Sequence, residues 1–514
     1  MGNPLNRTLM QFVERAEANA SHDVRFRQHF HVMPPVGWLN DPNGLCQFDG
    51  VFHAYFQYSP FDAKGGFVFW GHATSRDLLH WEYGRPVMAP DTPYDCHGVY
   101  SGSAVVHDGR ISMFYTGNVK LPDGPGIDYV NAGRVANTLL AETTDGFSFE
   151  PKQLLMTNAD YPADDTCHVR DPYVWWDEGS GRYRMLQGAR RHVYGPTRET
   201  RFTPMHGPGA ASDVGEVLVF ASDDLHSWEL VNRVSTPERF GFMWECPGYA
   251  ELPAQGGAVR EVLSVSPQGL EGADWERRNI YQSGYFPLEG DVAGECRLGG
   301  FRLWDAGFDF YAPQLFRAED GRTILVGWMG MPNDEKTYGN EPTIERGWQH
   351  CLTLPRELTA GEDGQVLQAP VRELVALRGE LIEGEGALSC SPGDAFDIAI
   401  DGVEGACSVL LHDGLSVAWL PAGMDESGAE LPARLELRFT DAEPGDRSGI
   451  GCGRTVRWEP LERLERLRIV ADASSVEVFA NDGALVMSTR CYPESSTVKI
   501  DAPGARVRVW PLAR

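Results

Sequence analysis

The chain has 514 residues, 42% of them hydrophobic and 11% aromatic with 14 tryptophans, which is the composition of a well-packed globular protein and not of a disordered one. That length exceeds what one ordinary core organises, so two domains are expected. A formal charge of −28, from 73 acidic against 45 basic residues, argues against nucleic acid or an anionic membrane as partner and favours a neutral or cationic ligand.

Residues 1–22 contain no apolar run and carry Arg7, Glu14, Arg15 and Glu17, so neither a signal peptide nor a membrane span is read there. Leu5, Leu9, Phe12, Val13 and Ala16 fall at helical spacing, which predicts one amphipathic helix within a 1–24 extension. The ten cysteines are scattered singly without a Cys-x-x-Cys pair, the pattern of free thiols in a reducing compartment. A cytoplasmic location is expected.

From residue 25 to 355 the chain reads as strands rich in aromatic and β-branched residues, punctuated by Gly, Asp and Pro. Hairpin turns recur before apolar strands at Asp49-Gly50, Asp108-Gly109, Gly181, Gly256-Gly257 and Asp320-Gly321. Their spacing of roughly 60 to 75 residues points to radial repetition, a five-bladed β-propeller with four strands to a blade. A two-sheet sandwich with long insertions would not explain so regular a period. The octets at 75–82, 143–150 and 222–229 repeat Asp at the third place, an aromatic at the seventh and Glu at the eighth, which implies three copies of one unit.

Residues 356–380 change character, with Gly-Glu-Asp-Gly and a short helical pattern in Val371, Leu374, Val375 and Leu377, and read as a linker. Beyond it, alternating runs such as Leu435-Glu436-Leu437-Arg438-Phe439 and Val476-Glu477-Val478-Phe479 have the period of half-buried strands. Residues 381–514 are therefore predicted to form an antiparallel β-sandwich. The fold class expected is all-β, a five-bladed propeller followed by that sandwich.

Each hairpin serves as a ruler for the strand before it. Asp41, Ser101, Asp171, Glu245 and Asp309 lie at similar distances ahead of their turns, so all five are placed on the first strand of a blade, the one that lines the central channel. Carboxylates crowded into a channel repel and are poorly solvated, a cost that a function can explain. Taken singly, Asn-Asp-Pro-Asn-Gly at 40–44 reads as a tight turn, and Arg170 beside Asp171 as a structural ion pair. Glu245, after Trp244 and before Cys246-Pro247-Gly248, has apolar surroundings that favour its protonated form, whereas Asp41, in a turn with exposed backbone donors, should stay ionised. One acid protonated and another charged is the division of labour of glycoside hydrolysis.

The motifs resemble glycoside hydrolase family 32, the β-fructofuranosidases. The resemblance runs through Trp38-Leu39-Asn40-Asp41-Pro42-Asn43-Gly44, Phe52-His53-Ala54-Tyr55-Phe56-Gln57, Trp70-Gly71-His72-Ala73 and Tyr100-Ser101-Gly102-Ser103-Ala104. It continues in Arg170-Asp171-Pro172, Trp244-Glu245-Cys246-Pro247-Gly248, Phe310-Tyr311-Ala312-Pro313-Gln314 and Gly327-Trp328-Met329. It implies Asp41 as nucleophile, Glu245 as general acid/base and Asp171 as transition-state stabiliser, with Asn40, Gln57, Ser101 and Arg170 contacting the fructosyl unit and Trp70 and Trp328 around it. Where many members carry Trp-Gly before Trp-Gly-His, this chain has Lys64-Gly65-Gly66-Phe67, so a remodelled aromatic wall is expected.

The reaction so implied is retaining release of terminal β-D-fructofuranosyl units from sucrose and short fructo-oligosaccharides, with Asp41 and Glu245 about 5 to 5.5 Å apart. No cofactor or metal is required; His29-Phe30-His31 and Arg191-His192 lack companion ligands and read as packing or surface residues. The partner expected is a small sugar. A sucrose 6-phosphate hydrolase, for which the arginines at 190–191 and 198–201 are candidates, a fructosyltransferase on the same residues, an arabinan-degrading hydrolase on a related scaffold and a non-catalytic fructan-binding protein are the alternatives.

Overall fold

The structure, a computed structural model, describes residues 3–513 except 123–129, 131, 194–211, 255–256, 271–278, 333–337, 362–363, 426, 441 and 444. The expected hairpins at Asp49-Gly50, Asp108-Gly109, Gly181 and Asp320-Gly321 are present, and the strands on either side of the fourth turn, whose Gly256 lies outside the described residues, pair antiparallel as well. At Asp49-Gly50 and Asp108-Gly109 both residues have positive φ (51° and 73°, 45° and 69°), the backbone that matches the right-handed twist of the flanking strands. The five first strands are Gly37–Phe48, Val99–His107, Asp165–Asp177, Met243–Pro253 and Tyr311–Arg317, and each neighbours the next around a closed ring. The protein is a five-bladed β-propeller followed by a β-sandwich. The ring is sealed where Trp348-Gln349, in the connection between the second and third strands of blade five, pairs in parallel with Gly37-Trp38 of blade one.

The repeated octet is the turn between the third and fourth strands of blades one to three. Asp77, Asp145 and Asp224 each accept two backbone N–H bonds from residues two and three positions on. The following residue, Leu78, Gly146 or Leu225, takes positive φ. A side-chain acceptor that satisfies its own turn explains why Asp is kept at that place.

A bulge interrupts all five first strands at one level, between Leu39 and Pro42, Val99 and Gly102, Arg170 and Tyr173, Glu245 and Gly248, and Tyr311 and Gln314. In four of them the bulge holds an X-Pro pair, at Pro42, Pro172, Pro247 and Pro313. Proline has no N–H for a central ladder, so the pairing breaks there and the preceding side chain is re-aimed. Asp171, Cys246 and Ala312, each preceding a proline, sit at φ 64°, 47° and 47°, strained backbone of the kind that collects at working sites.

Two expectations need correction. Residues 356–370 are not a linker: Arg356–Ala360 and Val366–Pro370 are the outer strands of blade five, in the order Tyr311–Arg317, Thr323–Met329, Arg356–Ala360, Val366–Pro370. The segment looked irregular because outer strands are short and half-exposed. Asp309 does not line the channel but precedes the blade-five strand and is fully buried against the C-terminal domain, paired with Arg454 at 2.8 Å.

The N-terminal helix, Pro4–Ala18, is capped by Asn3, whose side chain accepts the N–H of Leu5. Val13 is buried and Leu9 and Ala16 pack against the blade-one core, while Leu5 and Phe12 stay exposed. In the C-terminal domain the long strand Val498–Pro511 runs through both layers, pairing with Cys407–Leu411 in its first half and Phe396–Asp401 in its second. The two domains are joined by buried ions: Arg356 bridges Asp305 at 3.0 Å and Glu477 at 2.6 Å, and His31 bonds Asp472 at 2.7 Å and Glu477 at 3.1 Å. Among the described residues no helix is long and apolar enough to cross a membrane.

Candidate active site

The bulges turn Asp41, Ser101, Asp171 and Glu245 into one pocket of about 400 Å³ at one end of the propeller axis, together with Asn40, Gln57, Arg170 and Trp328. Three carboxylates from blades one, three and four therefore share a single cavity. Below them the axis is plugged: Asn43 accepts the N–H of Gly102, and Gln314 accepts the N–H of Leu45 while donating to the carbonyl of Gly102. This clasp between blades one, two and five holds the Asp41 turn still.

The partners of Asp41 are side chains. Ser101 Oγ donates to its Oδ2 at 2.5 Å, Gln57 Nε2 donates to the same oxygen at 3.3 Å, and Asn40 Nδ2 donates to Oδ1 at 3.1 Å. Asn40 is oriented by Trp38, whose indole N–H donates to its Oδ1, and by the Gln57 carbonyl that accepts from its Nδ2. Gln57 also donates to Ser101. Burial pushes Asp41 up, Asp171 and Glu245 push it further, and the bonds from Ser101 and Asn40 pull it down, leaving it at about 7. The expectation of a firmly ionised Asp41 rested on the turn's own amides, and side-chain donors stand in their place.

Asp171 accepts the backbone N–H of Cys246 at 3.0 Å, and its own N–H donates to Thr116 Oγ1. Burial raises it to about 6 although the Arg170 cation beside it acts to lower it. The Cys246 thiol lies 3.7 Å from both Asp41 Oδ2 and Asp171 Oδ2, and burial among those carboxylates holds it well above its ordinary range, a neutral spacer between two acids.

Glu245 is not in the apolar setting that its sequence neighbours suggested. Arg170 grips its Oε1 through Nη2 at 2.5 Å and Nε at 3.2 Å, while Gln268 Nε2 and Tyr311 Oη donate to Oε2 at 2.7 and 2.6 Å. Trp244 points away, fully buried between blades three and four. Alternation along a strand sends neighbours to opposite faces, so an apolar sequence context need not be the side chain's own.

Trp70 does not reach the pocket. It is 0% exposed, its ring between Tyr55 and Tyr115 and its N–H donated to the carbonyl of Tyr100. It belongs to the core beneath the pocket wall because its strand is the third of blade one, away from the axis. Trp328 does line the pocket, forming an aromatic wall with Trp38 at 5.9 Å and Tyr311 at 6.4 Å between ring centres. Gly65 and Gly66 supply bare backbone to the pocket lining, with Gly65 against the Trp38 ring, where an aromatic side chain was expected to be replaced. Tyr311, Gln268, Trp38 and Arg134 were not singled out in the sequence. Tyr311 and Trp38 stood inside recognised motifs without a role, whereas Gln268 and Arg134 stand in no motif and only the fold brings them in.

Known proteins match this arrangement along nearly the whole chain. The description "Glycosyl hydrolases family 32 N-terminal domain" matches residues 31–200 and 197–370, and "Glycosyl hydrolases family 32 C terminal" matches residues 434–509. The chain belongs to glycosyl hydrolase family 32. A sucrose-6-phosphate hydrolase of Bacillus subtilis is 35% identical over 99% of this chain and 98% of its own length, and a raffinose invertase of Escherichia coli is 35% identical over 91% and 90%. A sucrose-6-phosphate hydrolase structure from Lactobacillus gasseri superposes with a TM-score of 0.79 at 27% identity, covering 98% of this chain and 96% of that one. A Bombyx mori β-fructofuranosidase superposes with 0.77 at 27% identity, covering 100% and 99%. The protein is a glycoside hydrolase of the β-fructofuranosidase type.

Proposed function

We propose that this family 32 enzyme releases terminal β-D-fructofuranosyl units from sucrose and short fructo-oligosaccharides by a retaining double displacement. The observation that carries the reading is the meeting of Asp41, Asp171 and Glu245, each in a bulge of a different blade, in a blind pocket whose floor the Asn43 and Gln314 clasp closes. A blind pocket accepts a chain end and not its middle, which makes the action exo.

In its ionised form Asp41 attacks the anomeric carbon through Oδ1 or Oδ2, oriented by Ser101 and Asn40. Glu245 gives its proton to the leaving oxygen and then takes one from the water that cleaves the fructosyl ester. Arg170, Tyr311 and Gln268 fix the direction of the Glu245 carboxyl. Asp171, held by the Cys246 N–H, accepts hydroxyls of the bound fructosyl ring, and Trp38 and Trp328 cover its apolar edge. No metal or cofactor enters this scheme.

A second reading, the 6-phosphate of sucrose as substrate, is favoured by Arg134. Among the described pocket-lining residues Arg134 and Arg170 are the cationic ones. Arg190 and Arg191 pair with Asp213 and Glu216 away from the pocket, and 198–201 lie outside the described residues. Comparing kcat/KM on sucrose, sucrose 6-phosphate and 1-kestose tests both readings. In that assay Asp41→Asn should lose turnover on all three by at least about a thousandfold, as expected of a lost nucleophile, without loss of fold. Activity surviving in that variant removes Asp41 from its role. A preference for the phosphorylated sugar that falls in Arg134→Gln selects the second reading, and net transfer of fructose to sugar acceptors at high sucrose would make the enzyme a fructosyltransferase.

A further inference from the structure

The propeller axis carries a second cavity at its opposite end. Beyond the plug, the first strands of blades one to five continue outward and flare around a space of about 610 Å³, larger than the pocket at Asp41. The reaction described above uses none of its residues, and the clasp of Asn43, Gly102 and Gln314 separates the two spaces.

Its walls combine aromatic faces with acceptors. Tyr173, Trp175 and Tyr249 form a continuous ladder across blades three and four: Trp175 stacks on Tyr249 at 4.7 Å and 20°, and lies 6.0 Å from Tyr173. The Tyr173 hydroxyl donates to the carbonyl of Tyr249, locking the ladder across the two blades. Trp176, 40% exposed and at the next position of the same strand, also lines the cavity, with its ring edge-to-face with Tyr183 at 4.8 Å. Around these rings stand the exposed carboxylates Glu178, Glu251 and Glu319. The Tyr249 hydroxyl reaches Glu251 at 3.4 Å and Glu319 accepts the N–H of Gly50 at 3.2 Å.

We propose that this cavity is a second carbohydrate site, which takes a neutral oligosaccharide with the C–H faces of its rings on Trp176 and the Tyr173–Trp175–Tyr249 ladder and its hydroxyls on Glu178, Glu251 and Glu319. The chemistry narrows the ligand in three steps. Carboxylates against a single lining arginine, Arg317, repel an anion. Walls that alternate rings with carboxylates suit an amphipathic ligand better than a purely apolar one. A cationic ligand would have to draw its affinity chiefly from acids exposed to water, where such attractions are weak and screened by salt, whereas stacking of C–H faces on the rings does not depend on charge. A site remote from the reacting carbon would hold an oligosaccharide chain near the enzyme between cleavage events.

The test is calorimetric titration of 1-kestose into the full-length Asp41→Asn protein, which binds without turning the sugar over. Two binding events per chain are expected, one of which Trp176→Ala weakens roughly tenfold, the scale of one aromatic contact. Glu251→Gln, a near-isosteric change on the rim, should weaken the same event while raised salt leaves it unchanged, which guards against a folding defect in the tryptophan variant. A single event that neither substitution alters overturns the proposal. So does a second event seen with spermine and not with 1-kestose, which would make the cavity a cation site.

Discussion

Replacing Ser101 by alanine tests the electrostatic account of the nucleophile most directly. Ser101 Oγ lies 2.5 Å from Asp41 Oδ2, the short range of a hydroxyl bonded to a carboxylate, and it leads the interactions that pull Asp41 down against its burial. A hydrogen bond to a charged group contributes about 1.5 to 3 kcal/mol, and one pKa unit corresponds to about 1.4 kcal/mol, so its loss should raise Asp41 by about 1 to 2 units from its value near 7. Gln57 at 3.3 Å and Asn40 at 3.1 Å remain, which places the expected shift towards the lower end. The reaction needs the ionised carboxylate, so the acid limb of kcat/KM, which reports the free enzyme, should move up by about one pH unit or more in Ser101→Ala. Activity at pH 6 should then fall about tenfold further than activity at pH 9. Purified protein is assayed for fructose release across pH 4.5 to 9.5, with thermal melting as the check on folding. A uniformly lowered profile with an unmoved acid limb would refute the reasoning and make Ser101 a substrate contact only.

The interdomain ions make further predictions. Asp309→Ala should destabilise the protein by at least about 3 kcal/mol, because Arg454 is left buried without its carboxylate; an unchanged denaturation midpoint would show that the carbonyls of Gly339 and Gly451 suffice. For His31 burial alone would lower the pKa, but the bonds to Asp472 and Glu477 carry it up to about 9. A group raised from about 6.5 in the unfolded chain to that value contributes stability that is complete below pH 6.5 and disappears as pH rises through 9. Melting temperature should therefore decline between pH 6.5 and 9 in the parent, and that decline should be shallower in His31→Gln; an equal slope in the variant would place its origin elsewhere.

Much of this protein could be read from local chemistry alone. Turn residues with positive φ at Asp49-Gly50 and Asp108-Gly109, the Asp-centred octets and the alternating strands identify five repeats and a sandwich, because a hairpin depends on a few adjacent residues. The same spacing rule set Asp41, Ser101, Asp171 and Glu245 at one height, since the register of a first strand follows from its turn. Only the tertiary structure decided the rest. Residues 356–370 become strands because blade five offers them an edge, and Asp309 leaves the channel because Arg454, far along the chain, neutralises it in the interface. Trp70 is core and Trp328 is wall according to how far their strands lie from the axis. The environment of Glu245 comes from Arg170, Gln268 and Tyr311 on three different strands, and that of Asp41 from Ser101 of the next blade. Charge and solvation at a buried carboxylate are sums over everything within a few ångströms, and in a ring of blades those neighbours come from positions too far apart in the chain for any local pattern to reveal.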